Sequence, residues 1–160
     1  MKWKLLILSI VVILGLGSLV VWNASVSEDR PSDENTAANK VTVFKSPACG
    51  CCENYAAYLE RQGFTVEMVE TEDMNRIKEK YHVPPRLGSC HTSLVGNYIV
   101  EGHVPVEAIN KLLAEKPAIA GIAMPGMPSG SPGMPGGKEE PFVIYSFDET
   151  GKTLGVFTQM

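Results

Sequence analysis

Apolar residues fall into three regimes along the chain. From Leu5 to Trp22 they run almost without interruption, broken only by Ser9, Gly15, Gly17 and Ser18, with Lys2 and Lys4 in front. From Val26 to Lys40 the chain is polar and lacks aromatics. From Val41 onward apolar positions recur with the periods of strands and helices. Val41–Phe44 reads as a short buried strand. Cys51–Gln62 carries Tyr55, Ala56, Tyr58 and Leu59 at helical spacing, with Gly63 as a stop. Phe64–Val69 alternates and predicts a second strand. Glu72–Tyr81 is a charged helix with Met74, Ile77 and Tyr81 on one side, ended by Pro84-Pro85. His82 falls at its end as a capping residue.

Ser89–Val95 and Tyr98–Glu101 read as two strands joined at Gly96-Asn97, and Pro105 leads into a helix over Val106–Ala114. Ala118–Gly137 is a Gly/Pro-rich loop, and Phe142–Phe147 with Thr153–Phe157 form a terminal hairpin. The alternation predicts an α/β domain, a small sheet with flanking helices plus a C-terminal β-hairpin.

The leader changes the picture of where the domain resides. Its 18 residues from Leu5 to Trp22 would cover about 27 Å as a helix, close to a bilayer core. Two readings compete. One is a cleaved signal peptide, for which Asn23-Ala24-Ser25 is a weak cleavage site; the other is an uncleaved membrane anchor with Trp22 at the interface. Either leaves Lys2 and Lys4 on the cytoplasmic side and predicts an exported (periplasmic or extracytoplasmic) domain. No cysteine follows the apolar run, which argues against a lipid-modified N-terminus. The expected division is 1–24 signal peptide or membrane anchor, 25–39 flexible linker and 40–160 metal-binding domain. Net charge is −4 with no strongly basic stretch, which gives no support for nucleic-acid binding.

Candidate chemistry lies in Cys49-Gly50-Cys51-Cys52 and Cys90-His91, which hold all four cysteines. Two structural disulfides are the simplest reading of four cysteines in an exported domain. The spacing argues against it. Cys51–Cys52 would close a strained ring and Cys49–Cys51 a very tight one, since a disulfide wants Cα atoms about 5.5 Å apart and neighbours sit at about 3.8 Å. At most one unstrained bridge, to Cys90, is easily drawn.

The cluster precedes a helix, where free N–H groups and the dipole favour thiolate and lower its pKa. Several thiolates there would repel one another unless cations compensate. Adjacent helical residues point about 100° apart, so Cys51 and Cys52 suit a multinuclear, sulfur-bridged site better than one small ion. Soft donors select Cu(I), zinc or iron–sulfur clusters. The paired spacings of structural zinc and the usual iron–sulfur spacings are absent.

Met124, Met127 and Met134 in the loop tilt the choice to copper, because thioethers are good Cu(I) ligands. Each methionine is either a ligand or a plug over the core. His91 and His103 are candidate ligands or supporting donors. Glu53 and Asn54 read as polar surface positions. The predicted metal set is therefore Cys49, Cys51, Cys52, Cys90, His91, His103, Met124 and Met127, with no separate catalytic residue.

Four ordered motifs carry a resemblance: Ser46-Pro47-Ala48-Cys49-Gly50-Cys51-Cys52, Ser89-Cys90-His91-Thr92, Glu101-Gly102-His103-Val104-Pro105, and Gly121 to Pro128 followed by Gly130 to Met134. From about Lys40 to the C-terminus the chain resembles the CopG-type copper-resistance family of small exported proteins, long labelled a domain of unknown function. The resemblance implies a thioredoxin-like fold, several copper ions held by the clustered cysteines, and a role in copper homeostasis or resistance, with redox cycling of the copper.

That reading makes the chain a copper-binding protein, or a copper oxidoreductase, with copper ions and a copper-donor or copper-acceptor protein as partners. A thiol–disulfide oxidoreductase using Cys49 and Cys52, which keep the Cys-x-x-Cys spacing, is the alternative. A disulfide-stabilised binding module without chemistry is the third reading; it leaves the cluster spacing and the Met-rich loop unexplained.

Overall fold

The computed structural model describes residues 39–160. The leader, its cleavage or anchoring, and nearly all of the linker lie outside them. Among the described residues no helix is long and apolar enough to cross a membrane.

Strand β1 (Lys40–Lys45) is followed by helix α1 (Gly50–Arg61), strand β2 (Thr65–Glu70) and helix α2 (Met74–Lys80). A 3-10 turn at Pro85–Leu87 leads to β3 (His91–Val95) and β4 (Tyr98–Glu101), then helix α3 (Val106–Glu115). Strand β5 (Gly121–Ala123) precedes the terminal hairpin of β6 (Val143–Phe147) and β7 (Thr153–Gln159). The strands form one seven-stranded sheet in the order β2-β1-β3-β4-β5-β6-β7. β1 runs parallel to β2 and antiparallel to β3, and β3 pairs antiparallel with β4.

The element limits follow local chemistry. Asp73 accepts a hydrogen bond from the Arg76 N–H and caps α2. At the other end His82 takes φ 52° and donates its N–H to the Glu79 carbonyl, which closes the helix. Pro105 caps the start of α3, as its fixed φ suits.

One predicted element needs correction. Ala118–Gly137 reads as loop throughout, yet Gly121–Ala123 forms β5, parallel to β4 and antiparallel to β6. Three residues are too few to show a period, and the strand exists because it has a neighbour on either side. It joins the hairpin to the sheet.

Period-two alternation sends side chains to two faces. On one face Val41, Val43, Val100, Ile122 and Ile144 meet Leu59 of α1 with Ile109 and Leu112 of α3. On the other, Ile99, Ala123 and Phe147 meet Val83 and Leu87 from the segment after α2. Burying a side chain such as Leu59 or Ile109 contributes roughly 1.5–3 kcal/mol. These layers fix one end of the sheet, where Lys45 pairs with His91 and Thr92 with Glu101. The C-terminus of β1, the N-terminus of α1, the start of β3 and the end of β4 meet there.

Candidate metal centre

Cys49 is the N-cap of α1, with Cys51 and Cys52 in its first turn. Residues three apart at a helix start lie on one side, and the Cys49 and Cys52 Cα atoms are 5.5 Å apart, bonded as a disulfide. This corrects the expectation that the only easy bridge runs to Cys90. The turn of α1 brings two cysteines of the cluster to bonding distance without the tight rings that the other pairs would need.

Cys51 and Cys90 remain thiols. Cys51 Sγ lies 3.5 Å from Cys49 Sγ and 3.9 Å from Cys90 Sγ. Cys90 Sγ lies 3.4 Å from His91 Nδ1 and 3.1 Å from His103 Nε2. All four cysteine sulfurs fall within 4.8 Å of one another, and so do the donor atoms of Cys90, His91 and His103.

His103 is held by an interaction that sequence reasoning missed. Its Nδ1 sits 2.6 Å from the Pro132 carbonyl. A carbonyl only accepts, so Nδ1 carries the proton and Nε2 turns its lone pair to Cys90. Pro132 belongs to the loop that follows β5, forty-odd residues beyond Cys90, and no sequence signal marks its carbonyl.

Tyr55 of α1 is buried beneath both imidazoles, with ring centroids 4.6 Å from His91 and 5.3 Å from His103, and donates its hydroxyl to the Val104 carbonyl 2.9 Å away. His91 is fully buried and its Nε2 has no partner among the described residues.

Burial sets the protonation of Cys90 and the two imidazoles. Burial, and then the neighbouring Cys51, push the Cys90 thiol up to about 12. Burial, and then His103, push His91 down to about 3. Burial also lowers His103. Cys90 is thus a protonated thiol facing a neutral imidazole nitrogen, and the bridge takes Cys49 and Cys52 out of the set of titrating thiols. Crowding of sulfur at the helix start is relieved here by the Cys49–Cys52 bond.

The donor set suits a soft cation. It offers up to four sulfurs and two neutral imidazoles, and a metal binding at a thiol would displace its S–H proton.

The remaining candidates lie apart from this cluster in environment. Met124 is buried in the core beside Ile122 and Ile144. Met127 is 40% exposed, with φ 45°. Glu53 is exposed as expected, but it forms an ion pair with Lys45 at 3.2 Å, and Lys45 is itself buried at the end of β1. Glu101 is fully buried and paired with Lys78. A charged residue closing the apolar strand Tyr98-Ile99-Val100 was the visible signal of that pair.

Two solved structures share this architecture. They are titled "Copper resistance protein copG", Form 1 and Form 2; each is 36% identical to this chain with a TM-score of 0.69. The match covers 76% of this chain and 96% of the Form 1 chain (97% for Form 2). The chain belongs to the CopG-type copper-resistance family. Residues 87–134 also match a family model described as "Protein of unknown function, DUF411", a span that holds Cys90, His91, His103 and the loop methionines. No curated protein matches the sequence. Membership of the CopG-type family supports a copper-related role for the chain, and the four cysteines are placed so that they could hold a metal ion.

Proposed function

We propose that this chain is an exported protein that holds Cu(I) as cargo in a multinuclear, thiolate-bridged site, for copper homeostasis or resistance. The observation that carries the reading is the convergence of all four cysteine sulfurs within 4.8 Å. Cys49, Cys51, Cys52 and Cys90 supply the sulfurs, and His91 and His103 supply nitrogens from the Cys90 side. Met124 and Met127 complete the proposed set as thioethers; the burial of Met124 favours packing for that residue.

In the disulfide form Cys49 and Cys52 are withheld. A dithiol reductant supplies two electrons and two protons, and the bridge opens to two thiols. Each Cu(I) that then binds displaces thiol protons, so loading acidifies the medium. Cycling of the bound copper between oxidation states belongs to the same reading.

Export rests on the leader, Lys2 to Trp22, as signal peptide or anchor, and a copper donor or acceptor is the expected protein partner. The strand order β2-β1-β3-β4, with α1 and α2 between the strands in sequence and α3 after β4, supports a thioredoxin-like domain.

A specific observation favours a second reading. Cys49 and Cys52 are bonded across the spacing of a dithiol redox pair at a helix start. That arrangement serves thiol–disulfide exchange, with Cys51 and Cys90 beside it.

Anaerobic titration of the reduced protein with Cu(I) separates the two. The copper reading expects more than one tightly bound ion per chain, lost when Cys51 and Cys52 are both replaced by Ser. Absence of copper uptake together with catalysed insulin reduction would establish the exchange reading in its place.

A further inference from the structure

Behind the cysteine cluster lies a buried charged group that copper binding itself does not use. Glu101 closes β4 with no solvent exposure. Its Oε1 accepts from the Ser89 backbone N–H at 2.6 Å and from Lys78 Nζ, and its Oε2 accepts from the Thr92 hydroxyl at 2.6 Å. Lys78 comes from α2, retains 18% exposure and also lies 3.3 Å from the Thr92 hydroxyl. Every polar contact of the carboxylate is therefore with a donor.

These contacts bind together the two strand ends that carry the ligands. Ser89 immediately precedes Cys90 and His91, and Thr92 follows them. On the other strand Glu101 is followed by Gly102 and His103. The Gly102 N–H donates to the His91 carbonyl at 3.1 Å and closes the last rung between the arms. Gly102 has φ +81°, and a Cβ there would lie 2.7 Å from both the Met124 carbonyl and the Ser89 hydroxyl oxygen. The arms are thus drawn too close together for a side chain. The 3.1 Å and 3.4 Å separations of Cys90 Sγ from His103 and His91 are the spacings this closed frame sets.

Resting on the copper reading above, we propose that Glu101, locked by Lys78, is the positioning residue that fixes the nitrogen-bearing side of the metal site. A Gln at 101 has the same size but one acceptor oxygen and an NH2. That NH2 must face either the Thr92 hydroxyl, which can turn, or the Ser89 N–H and Lys78, which cannot. In either case the charge that holds Lys78 is gone, and Cys90, His91 and His103 lose their common frame.

The test compares wild type, Glu101→Gln, Lys78→Met and Lys78→Arg, each full-length and reduced. Cu(I) affinity is measured by chelator competition, the nitrogen neighbours of copper by X-ray absorption, and the imidazole signals of the metal-free proteins by NMR. Loss of a group that orients ligands typically lowers metal affinity about 10–100-fold. Glu101→Gln should therefore bind the same number of ions about 10–100-fold more weakly, with fewer nitrogen neighbours and shifted His91 and His103 signals. Lys78→Met should move the same way, and Lys78→Arg should return to wild type.

A folded Glu101→Gln protein with wild-type affinity and wild-type imidazole signals would overturn the proposal. If Glu101→Gln does not fold, the Lys78 pair decides: equal behaviour of Met and Arg at 78 counts against the lock. If wild type takes up no copper, the copper reading falls by itself. The metal-free imidazole signals then decide the frame: a shift in Glu101→Gln upholds it, and identity with wild type refutes it.

Discussion

At the level of single residues, what matters is how few charges the metal-free centre carries. Cys90 is held protonated and His91 neutral, chiefly by burial. A pH dependence follows. The value of His91 falls from about 6.5 to about 3 on folding, so between these limits the unfolded chain binds more protons than the folded one. Stability contributed by the neutral ring is fully present above about pH 6.5 and is lost as pH falls toward 3. The steepest slope is about 1.4 kcal/mol per pH unit for one proton. His103 shifts in the same direction, whereas burial raises Glu101 and gives the opposite sign. The difference between wild type and His91→Gln therefore isolates the ring. Urea unfolding of metal-free protein from pH 7 to pH 4 should show a shallower decline for His91→Gln; parallel curves would remove His91 as the cause.

The grouping of these residues was largely legible in the sequence. Cys49, Cys51, Cys52, Cys90, His91 and His103 are named by type and motif, and they converge. The bonded pair was legible only through the Cys-x-x-Cys spacing of the alternative reading, because ring-strain arguments applied to neighbours exclude the wrong pairs without selecting Cys49–Cys52. The turn of α1 brings that pair to bonding distance.

Among the elements, the loop after β5 has a larger part than its composition suggests. Gly and Pro mark it as irregular, yet it supplies the carbonyl that orients His103 and lies against α1. Gly133 has φ +79°, and a Cβ there would come 2.6 Å from the Tyr55 nitrogen and 2.9 Å from its Cα. Both are backbone atoms of a helix and cannot give way.

Gly133→Ala should cost more than about 1 kcal/mol and pull Pro132 away from His103. Gly126→Ala is the control, since Gly126 has φ +82° but open space around it. Thermal unfolding of the two variants should place Gly133→Ala clearly below Gly126→Ala. Equal midpoints would mean that the approach of the loop to α1 contributes nothing.

Helices α1 and α3 and strand β1 were readable from periodicity because each buries a face. β5 was not, because its three residues are held by β4 and β6 and not by any pattern of their own. The same reasoning explains Met124: inside a loop by composition, it is packed as core because β5 runs into it.

For the molecule as a whole, the sheet is the device that assembles the site. β1 delivers α1 with three cysteines, the β3–β4 pair delivers Cys90, His91 and His103, and all of them meet at one end of the sheet. This arrangement allows two states of the same centre. With the Cys49–Cys52 bond formed, two thiols and two imidazoles remain. With it reduced, four sulfurs face one small volume, and the proposed function has shared soft cations keep them there.

That claim is tested most directly by copper X-ray absorption on the fully reduced, copper-loaded protein. Bridging thiolates predict a sulfur-dominated first shell together with copper–copper scattering. A lone copper with no copper neighbour at full loading would contradict it.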